Sequence, residues 1–376
     1  MKIIQLLPTM SFGDAVSNDT LAIRRMIREM GIETEIYAEN IDNRLPKGSV
    51  KPMREMPELG DEDLLIYHGS TGDPLNMWVP RLGGRKVMRY HNITPPEFFR
   101  GYSEEAAVRS ASGLREMQLT ARAFPYGIAD SDFNRQDMRK LGFKCPIDVC
   151  PIVIPLEDYD QEPDEKVLKQ YQGDGVTNLL FVGRIAPNKK QENVIRAFWH
   201  YRKNWNPKSR LFLVGSSTGM ESYLGRLKKY VKALGIEESV VFPGQISFRA
   251  ILAYYRLADV FVCMSEHEGF CVPIIEAMYF GKPIVALKAA AVPGTMGGAG
   301  LLLDEADPAI AGTAIDRIMR DEELREALKT QREIQIRKFT YEVVSQRMKK
   351  LIMDFASADA TKGLSDRPLE TFGHDI

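Results

Sequence analysis

The chain has 376 residues, 44% hydrophobic and 27% charged, a composition able to form globular cores and a length that suits two or three domains. Its formal net charge of −1 creates no field that would attract a polyanion such as nucleic acid, so any anion site must be local. The four cysteines, Cys145, Cys150, Cys263 and Cys271, form no CxxC pair and no zinc-spaced Cys/His cluster, and they read as reduced thiols of a cytoplasmic protein.

The chain opens MKIIQLLP, an apolar run too short for a signal segment. No stretch approaches the ~20 apolar residues of a membrane span. KIIQLL (2–7) reads as a buried strand, followed by a loop through Gly13 and Asp14. Residues 17–31 carry helical spacing and end on Gly31. TEIYAE (34–39), DLLIYH (63–68), KVMRYH (86–91) and YGIADS (126–131) read as further strands, with helices near 104–123 and 133–141. Such alternation predicts a parallel sheet covered on both faces. PIVIPLEDYDQEPDEK (151–166) interrupts it with three prolines and six acidic residues, as a linker does. NLLFVGR (178–184) restarts the pattern, and strands are expected at 211–215, 240–244, 259–264 and 283–287. Helices are expected between them, near 190–205, 219–234, 248–257 and 273–280. After residue 307 the sequence is helical and charged, with a last helix near 340–355 and a polar tail. The reading is two doubly wound domains: 1–160, then 161–339, with a helix over 340–356 and a tail over 357–376.

The strongest local signal is EGFCVPIIEAM, Glu268 to Met278, which follows a predicted strand and opens a helix near Pro273. In open α/β sheets ligands bind at the carboxyl ends of strands. A helix N-terminus there suits a phosphate, and Glu276, one turn in, is a natural acceptor for two ribose hydroxyls. The plainer reading is a helix start with acidic residues that favour its dipole. FVGRIAPNKKQ (181–191) places Arg184 and Lys189 after another strand, where two cations can hold a diphosphate and absorb the charge of its departure; a solvated basic loop is the alternative. Gly13 lets backbone approach a ligand, although LPTMSFGDAVSN is not a dinucleotide fingerprint. His91 closes a strand ahead of Asn92 and, as a lone histidine, reads as structural. Asp130-Ser131-Asp132 spells DxD but reads as a helix cap before FNRQDMRKL.

VGRIAPNK, followed some 80 residues later by EGFCVPIIEAMYFGKPIVA, resembles glycosyltransferase family 4, over roughly 1–355. The resemblance implies the GT-B fold: two doubly wound Rossmann-like domains facing across a donor cleft, with a C-terminal helix crossing back to the N-terminal domain. It implies a retaining, metal-independent hexosyltransferase taking a UDP-, GDP- or ADP-sugar, with no cofactor. Arg184 and Lys189 would bind the diphosphate and Glu276 the ribose. Glu268, with the backbone of Gly269, Phe270 and Cys271, would hold the sugar and distal phosphate. Gly244, Gln245 and Ile246 would meet the base, Gly13 the diphosphate, and His91 the transferred sugar. The family usually has EGFG, and this chain has EGFC, so a side chain at Cys271 is expected in or beside the donor loop. No protein base is implied.

The acceptor, a glycan, lipid-linked or small molecule, is not specified. PPEFFRGY (95–102) and NMWVPRL (76–82) set aromatics beside arginines, which suits either core packing or a peripheral contact at the inner face of the membrane. No signal of oligomeric state is present. A nucleotide-sugar epimerase would need a constellation of carboxylates and histidines for proton abstraction, which five histidines, one of them near the tail, fit poorly. An inactive partner subunit is the reading from another class, and the retention of Arg184, Lys189, Glu268, Glu276 and His91 argues against it.

Overall fold

The structure, a computed structural model, describes residues 1–357; the polar tail from 358 lies outside the described residues. The chain divides into two compact units. The first comprises Met1–Pro96, Ala107–Pro155 and the described residues from Phe339 to 357; the second comprises Glu97–Ala106 and Leu156–Lys338. The short segment Glu97–Ala106 belonging to the second unit has no counterpart in the sequence reading.

The first unit holds a seven-stranded, all-parallel sheet. Its strands are β1 Ile3–Met10, β2 Thr34–Ile41, β3 Lys51–Pro52, β4 Leu64–Gly69, β5 Arg85–Tyr90, β6 Tyr126–Ala129 and β7 Ile147–Val149. They lie in the order β3-β2-β1-β4-β5-β6-β7. β3 and β7 are two and three residues long, too short for periodicity to reveal. Helices Ala15–Glu29 and Tyr341–Ser357 cover one face: Ile23, Met26 and Ile27 pack with Met348, Leu351, Ile352 and Phe355. The apolar spacing of 343–352 is thus used within this unit, and Phe355 stacks on Tyr126 at 5.0 Å.

The second unit holds a six-stranded parallel sheet. Its strands are β8 Thr177–Val182, β9 Ser209–Val214, β10 Val240–Gly244, β11 Val260–Cys263, β12 Ile284–Leu287 and β13 Leu301–Leu303, in the order β10-β9-β8-β11-β12-β13. The connection reverses direction at β8, between β9 and β11, as it does at β1 in the first unit, between β2 and β4. Such switch points open a crevice at the carboxyl ends of the strands. Among the described residues no helix is long and apolar enough to cross a membrane.

Candidate functional site

The loops after β8 and β11 meet at the switch point of the second sheet. Gly183 and Gly215 leave β8 and β9 side by side: a Cβ on Gly215 would lie 2.0 Å from the Gly183 carbonyl oxygen, so this crossing excludes a side chain. Arg184 follows, is exposed, and donates to the Thr218 carbonyl at 3.0 Å. The turn Pro187–Lys189 is sewn to the β11 loop from both sides. Glu266 N donates to the Asn188 carbonyl at 3.0 Å, and Asn188 Nδ2 donates to the His267 carbonyl at 3.1 Å. Within this frame Lys189 Nζ lies 2.5 Å from Glu268 Oε2. The Lys189 side chain is 21% exposed and that of Glu268 is 8%. Burial works against the Lys189 charge, but Glu268 outweighs it, with Cys271 and Cys263 adding to the effect, and the ammonium is held above its usual range. A lysine ammonium has three donors, so this pairing does not exhaust it. Lys190 adopts a left-handed backbone, φ 49°, which turns its side chain away to Glu266 at 3.2 Å. Neighbouring lysines thus serve different partners.

Helix Val272–Tyr279 begins at this loop, with Cys271 as the cap residue at φ 74°. Of the two placements expected for the Cys271 side chain, in or beside the donor loop, the structure shows the second, with Sγ within 4.8 Å of a Glu268 carboxylate oxygen. The thiol turns into the core, 94% buried, with its Sγ 4.0 Å from Cys263 Sγ. Their hydrogen bond lowers the Cys263 thiol and raises that of Cys271. In the backbone the substitution costs a left-handed conformation that glycine adopts without strain. Phe270 is buried, its carbonyl accepts from Thr295 Oγ1 at 2.5 Å, and the Glu268 carbonyl accepts from Ala291 N at 3.2 Å. Gly269 lies half-buried between them.

Glu276 sits one turn into the helix. Tyr159 donates to its Oε1 at 2.6 Å and Tyr255 to its Oε2 at 2.5 Å. Burial raises the carboxyl above its ordinary range and the two hydroxyls pull it back. A carboxylate has about four acceptor positions, so two tyrosines leave capacity for a diol. Sequence reading missed both tyrosines. Tyr159 lies in the proline-rich, acidic stretch, which is not free linker here. Its ring packs against Phe248 and Tyr279, Asp160 accepts from Tyr279, and Arg249 donates to the Glu162 carbonyl. The remaining expected base contact, Gly244-Gln245-Ile246, lies at the end of β10; Gly244 has φ 75° with open space where a Cβ would stand, and Gln245 is exposed.

Two expected site residues lie in the first unit. Gly13, φ 79° with open space, precedes Asp14, whose side chain caps helix Ala15–Glu29 by accepting from Ser17 N. His91 follows β5 directly and is not a lone histidine. Its Nδ1 lies 2.9 Å from Asp130 Oδ2, and its Nε2 lies 2.9 Å from His68 Nδ1. Burial, with His91 and Arg89 nearby, holds His68 well below its usual range and therefore neutral. Gln5 donates to the Thr20 carbonyl, so its Oε1 accepts from His68 Nε2 at 3.0 Å, and His68 in turn accepts from His91. Both ring nitrogens of His91 are thus occupied, and its side chain is 1% exposed. Arg89 closes the cluster, 2.9 Å from both Asp19 and Asp130. Asp130 is therefore no cap residue. Ser131 alone caps the helix, by accepting from Asn134 N, and Asp132 is its first residue.

The aromatic segments also divide. In the second unit Phe98 packs on His267 at 5.9 Å, and Tyr102 meets Tyr223 edge-on at 5.1 Å. In the first unit Asn76 and Val79 are buried, while Met77 and Trp78 are 40% and 55% exposed.

Residues 164–334 match the family described as Glycosyl transferases group 1. This segment, and with it nearly all of the second unit, is a glycosyl transferases group 1 domain. The chain is a glycosyltransferase. It is 27% identical over 299 residues to O-antigen chain mannosyltransferase B of Escherichia coli, covering 77% of this chain and 74% of that one. Among solved structures, sucrose-phosphate synthase from Thermosynechococcus elongatus superposes with a TM-score of 0.73 at 19% identity, over 95% of this chain and all of that chain. Anabaena HepE in complex with UDP-glucose gives 0.71 at 20% identity, over 94% of this chain and all of that one. The fold is therefore GT-B, and Arg184 through Glu276, with Tyr159 and Tyr255, lie within or beside its matched domain.

Proposed function

We propose that this glycosyltransferase moves a hexose from a nucleotide-diphosphate sugar to a glycan, lipid-linked or small-molecule acceptor, with retention of configuration and without a metal ion. The observation that carries the reading is the pairing of Lys189 with Glu268 at the switch point, beside exposed Arg184 and the start of the helix that bears Glu276. Two cations at the ends of parallel strands meet the charge that moves onto a diphosphate as the glycosidic bond breaks, which favours the transition state over the ground state. The helix N-terminus adds backbone N–H groups for a phosphate. Glu268 orients Lys189 and offers its second oxygen to a sugar hydroxyl. Glu276, held by two tyrosines, would take the ribose diol. The similarity to a mannosyltransferase that builds O-antigen chains, and to a fold solved with UDP-glucose, supports a hexose donor and a role in polysaccharide or glycoconjugate synthesis.

The test is turnover of a panel of UDP-, GDP- and ADP-sugars by chelator-treated protein, with the anomeric form of early product read by proton NMR. Transfer with retention is expected. An inverted product, or activity that returns only with magnesium or manganese, would overturn the respective part of the reading.

A further inference from the structure

Cys263, Glu268 and Cys271 bring one sulfur, one carboxylate oxygen and a second sulfur within 4.8 Å of one another, all three residues buried. Cys263 ends β11, Cys271 caps the following helix, and Glu268 lies in the loop that joins them. We infer that these three side chains form a binding site for a soft divalent metal ion such as Zn²⁺, and that its occupation disarms the donor loop. Only the effect on nucleotide binding rests on the function proposed above.

The sulfur separation decides between two fates for the thiol pair. In a tetrahedral zinc site with Zn–S bonds of ~2.3 Å, two sulfurs stand about 3.8 Å apart. A disulfide needs them at ~2.05 Å. The observed 4.0 Å nearly fits the metal and would have to halve for the bond. Charge also balances: two thiolates and a carboxylate are answered by the metal ion and the Lys189 ammonium. Binding sends both thiol protons to solvent, so affinity should rise with pH. Thiolate ligands select zinc or cadmium over magnesium, which prefers oxygen and open hydration. A metal ion between the two sulfurs draws the Glu268 carboxylate toward itself and competes with Lys189 for its charge. That loosens the 2.5 Å contact which orients the lysine, and it is the physical route from metal binding to a weaker diphosphate site.

The experiment titrates full-length, chelator-treated and fully reduced protein with cadmium chloride, reading the ultraviolet absorption of cadmium–thiolate bonds, and then displaces cadmium with zinc chloride. One ion per chain is expected, lost in Cys263→Ser and in Cys271→Gly; the latter also relieves the left-handed strain, so its folding is not at risk. Cys145 and Cys150 remain in both variants, so any absorption they contribute persists there and is subtracted. Zinc should weaken nucleoside-diphosphate binding by about tenfold in the parent chain, and should leave the affinity of Cys271→Gly unchanged. Absorption that persists undiminished in Cys271→Gly, or its absence from the parent chain, would overturn the site, as would loss of both thiols to a disulfide without metal uptake. Stoichiometric absorption with unaltered nucleotide affinity would leave the metal site standing and would instead remove residues 268–271 from the donor site.

Discussion

The two units share a doubly wound parallel sheet but place their charges differently. In the first, Arg89, Asp19, Asp130, His91 and His68 are all at least 90% buried and spend their polar atoms on one another and on the chain from Cys150 to Val153. In the second, Lys189 and Glu268 stand at loop ends, with the lysine partly open. The first arrangement is closed and holds the sheet to the segment that follows β7. The second keeps donors available to a ligand. Removing a charge should therefore cost chiefly stability in one unit and chiefly rate in the other.

The largest effect is expected from Arg89→Met. It strands Asp19 and Asp130 without a counter-charge, and breaking a buried pair from one side typically costs about 3–5 kcal/mol. The midpoint of guanidinium unfolding should fall steeply. A loss below about 1 kcal/mol, the range of exposed pairs, would show that the cluster relaxes or admits water and is not closed.

Next come Arg184→Ala, which should leave unfolding nearly unchanged, and Lys189→Ala, which also strands the buried Glu268 carboxylate and should lower stability as well as rate. Loss of one preorganised donor to a developing charge costs about 2.7–4 kcal/mol of transition-state stabilisation, or roughly a hundred- to thousandfold in turnover. The double variant should lose less than the sum, since both act on one diphosphate. Lys190→Ala is the control, because Lys190 turns to Glu266. If Lys190→Ala were as slow as Lys189→Ala at saturating donor, the contrast between neighbouring lysines would fail.

The strand–helix alternation and the two long motifs were legible because they are local. β8, β11 and the helix after Cys271 carry apolar runs, turn residues and a proline at fixed spacing. The rest was not legible because it depends on distant pairings. Tyr159 reaches Glu276 across 117 residues and Arg89 reaches Asp19 across 70, and no periodicity links such positions. His91 read as a lone histidine because its partners, His68 and Asp130, come from two other strand ends. The sequence left Cys271 in or beside the donor loop, because the one-letter pattern does not say that a left-handed cap turns the side chain toward Cys263 and the core.

A smaller effect is expected for Glu276→Ala on nucleotide binding. Hydrogen bonds to a charged group are worth about 1.5–3 kcal/mol, so the dissociation constant of the nucleoside diphosphate should rise by one to two orders of magnitude in titration calorimetry. Tyr255→Phe should reproduce part of this loss, because it frees the carboxylate from its orientation. An unchanged constant in folded Glu276→Ala would reduce Glu276 to a helix residue.

The last prediction sharpens the contrast between carboxylates answered by a guanidinium, in the first unit, and one answered by hydroxyls, in the second. Tyrosine hydroxyls carry no charge, so burial dominates at Glu276 and its folded-state pKa lies above the unfolded one. The folded chain then holds this proton more tightly than the unfolded chain does. Wherever the folded state binds more protons, stability falls as pH rises. The contribution is fully present below the unfolded value of about 4.3 and is lost as pH climbs through the raised folded value. Glu276→Gln keeps the shape and the tyrosine contacts but has no proton to lose, so it should lack this decline. Tyr159→Phe removes one of the two hydroxyls that favour the charged form, so the folded pKa should rise further and the decline extend to higher pH. Unfolding midpoints of the three proteins, taken between pH 4 and 7, give the comparison directly. Relative to the parent chain, Glu276→Gln should gain stability as pH rises and Tyr159→Phe should lose it. Parallel curves for all three would mean that solvent, and not the two tyrosines, satisfies this carboxylate.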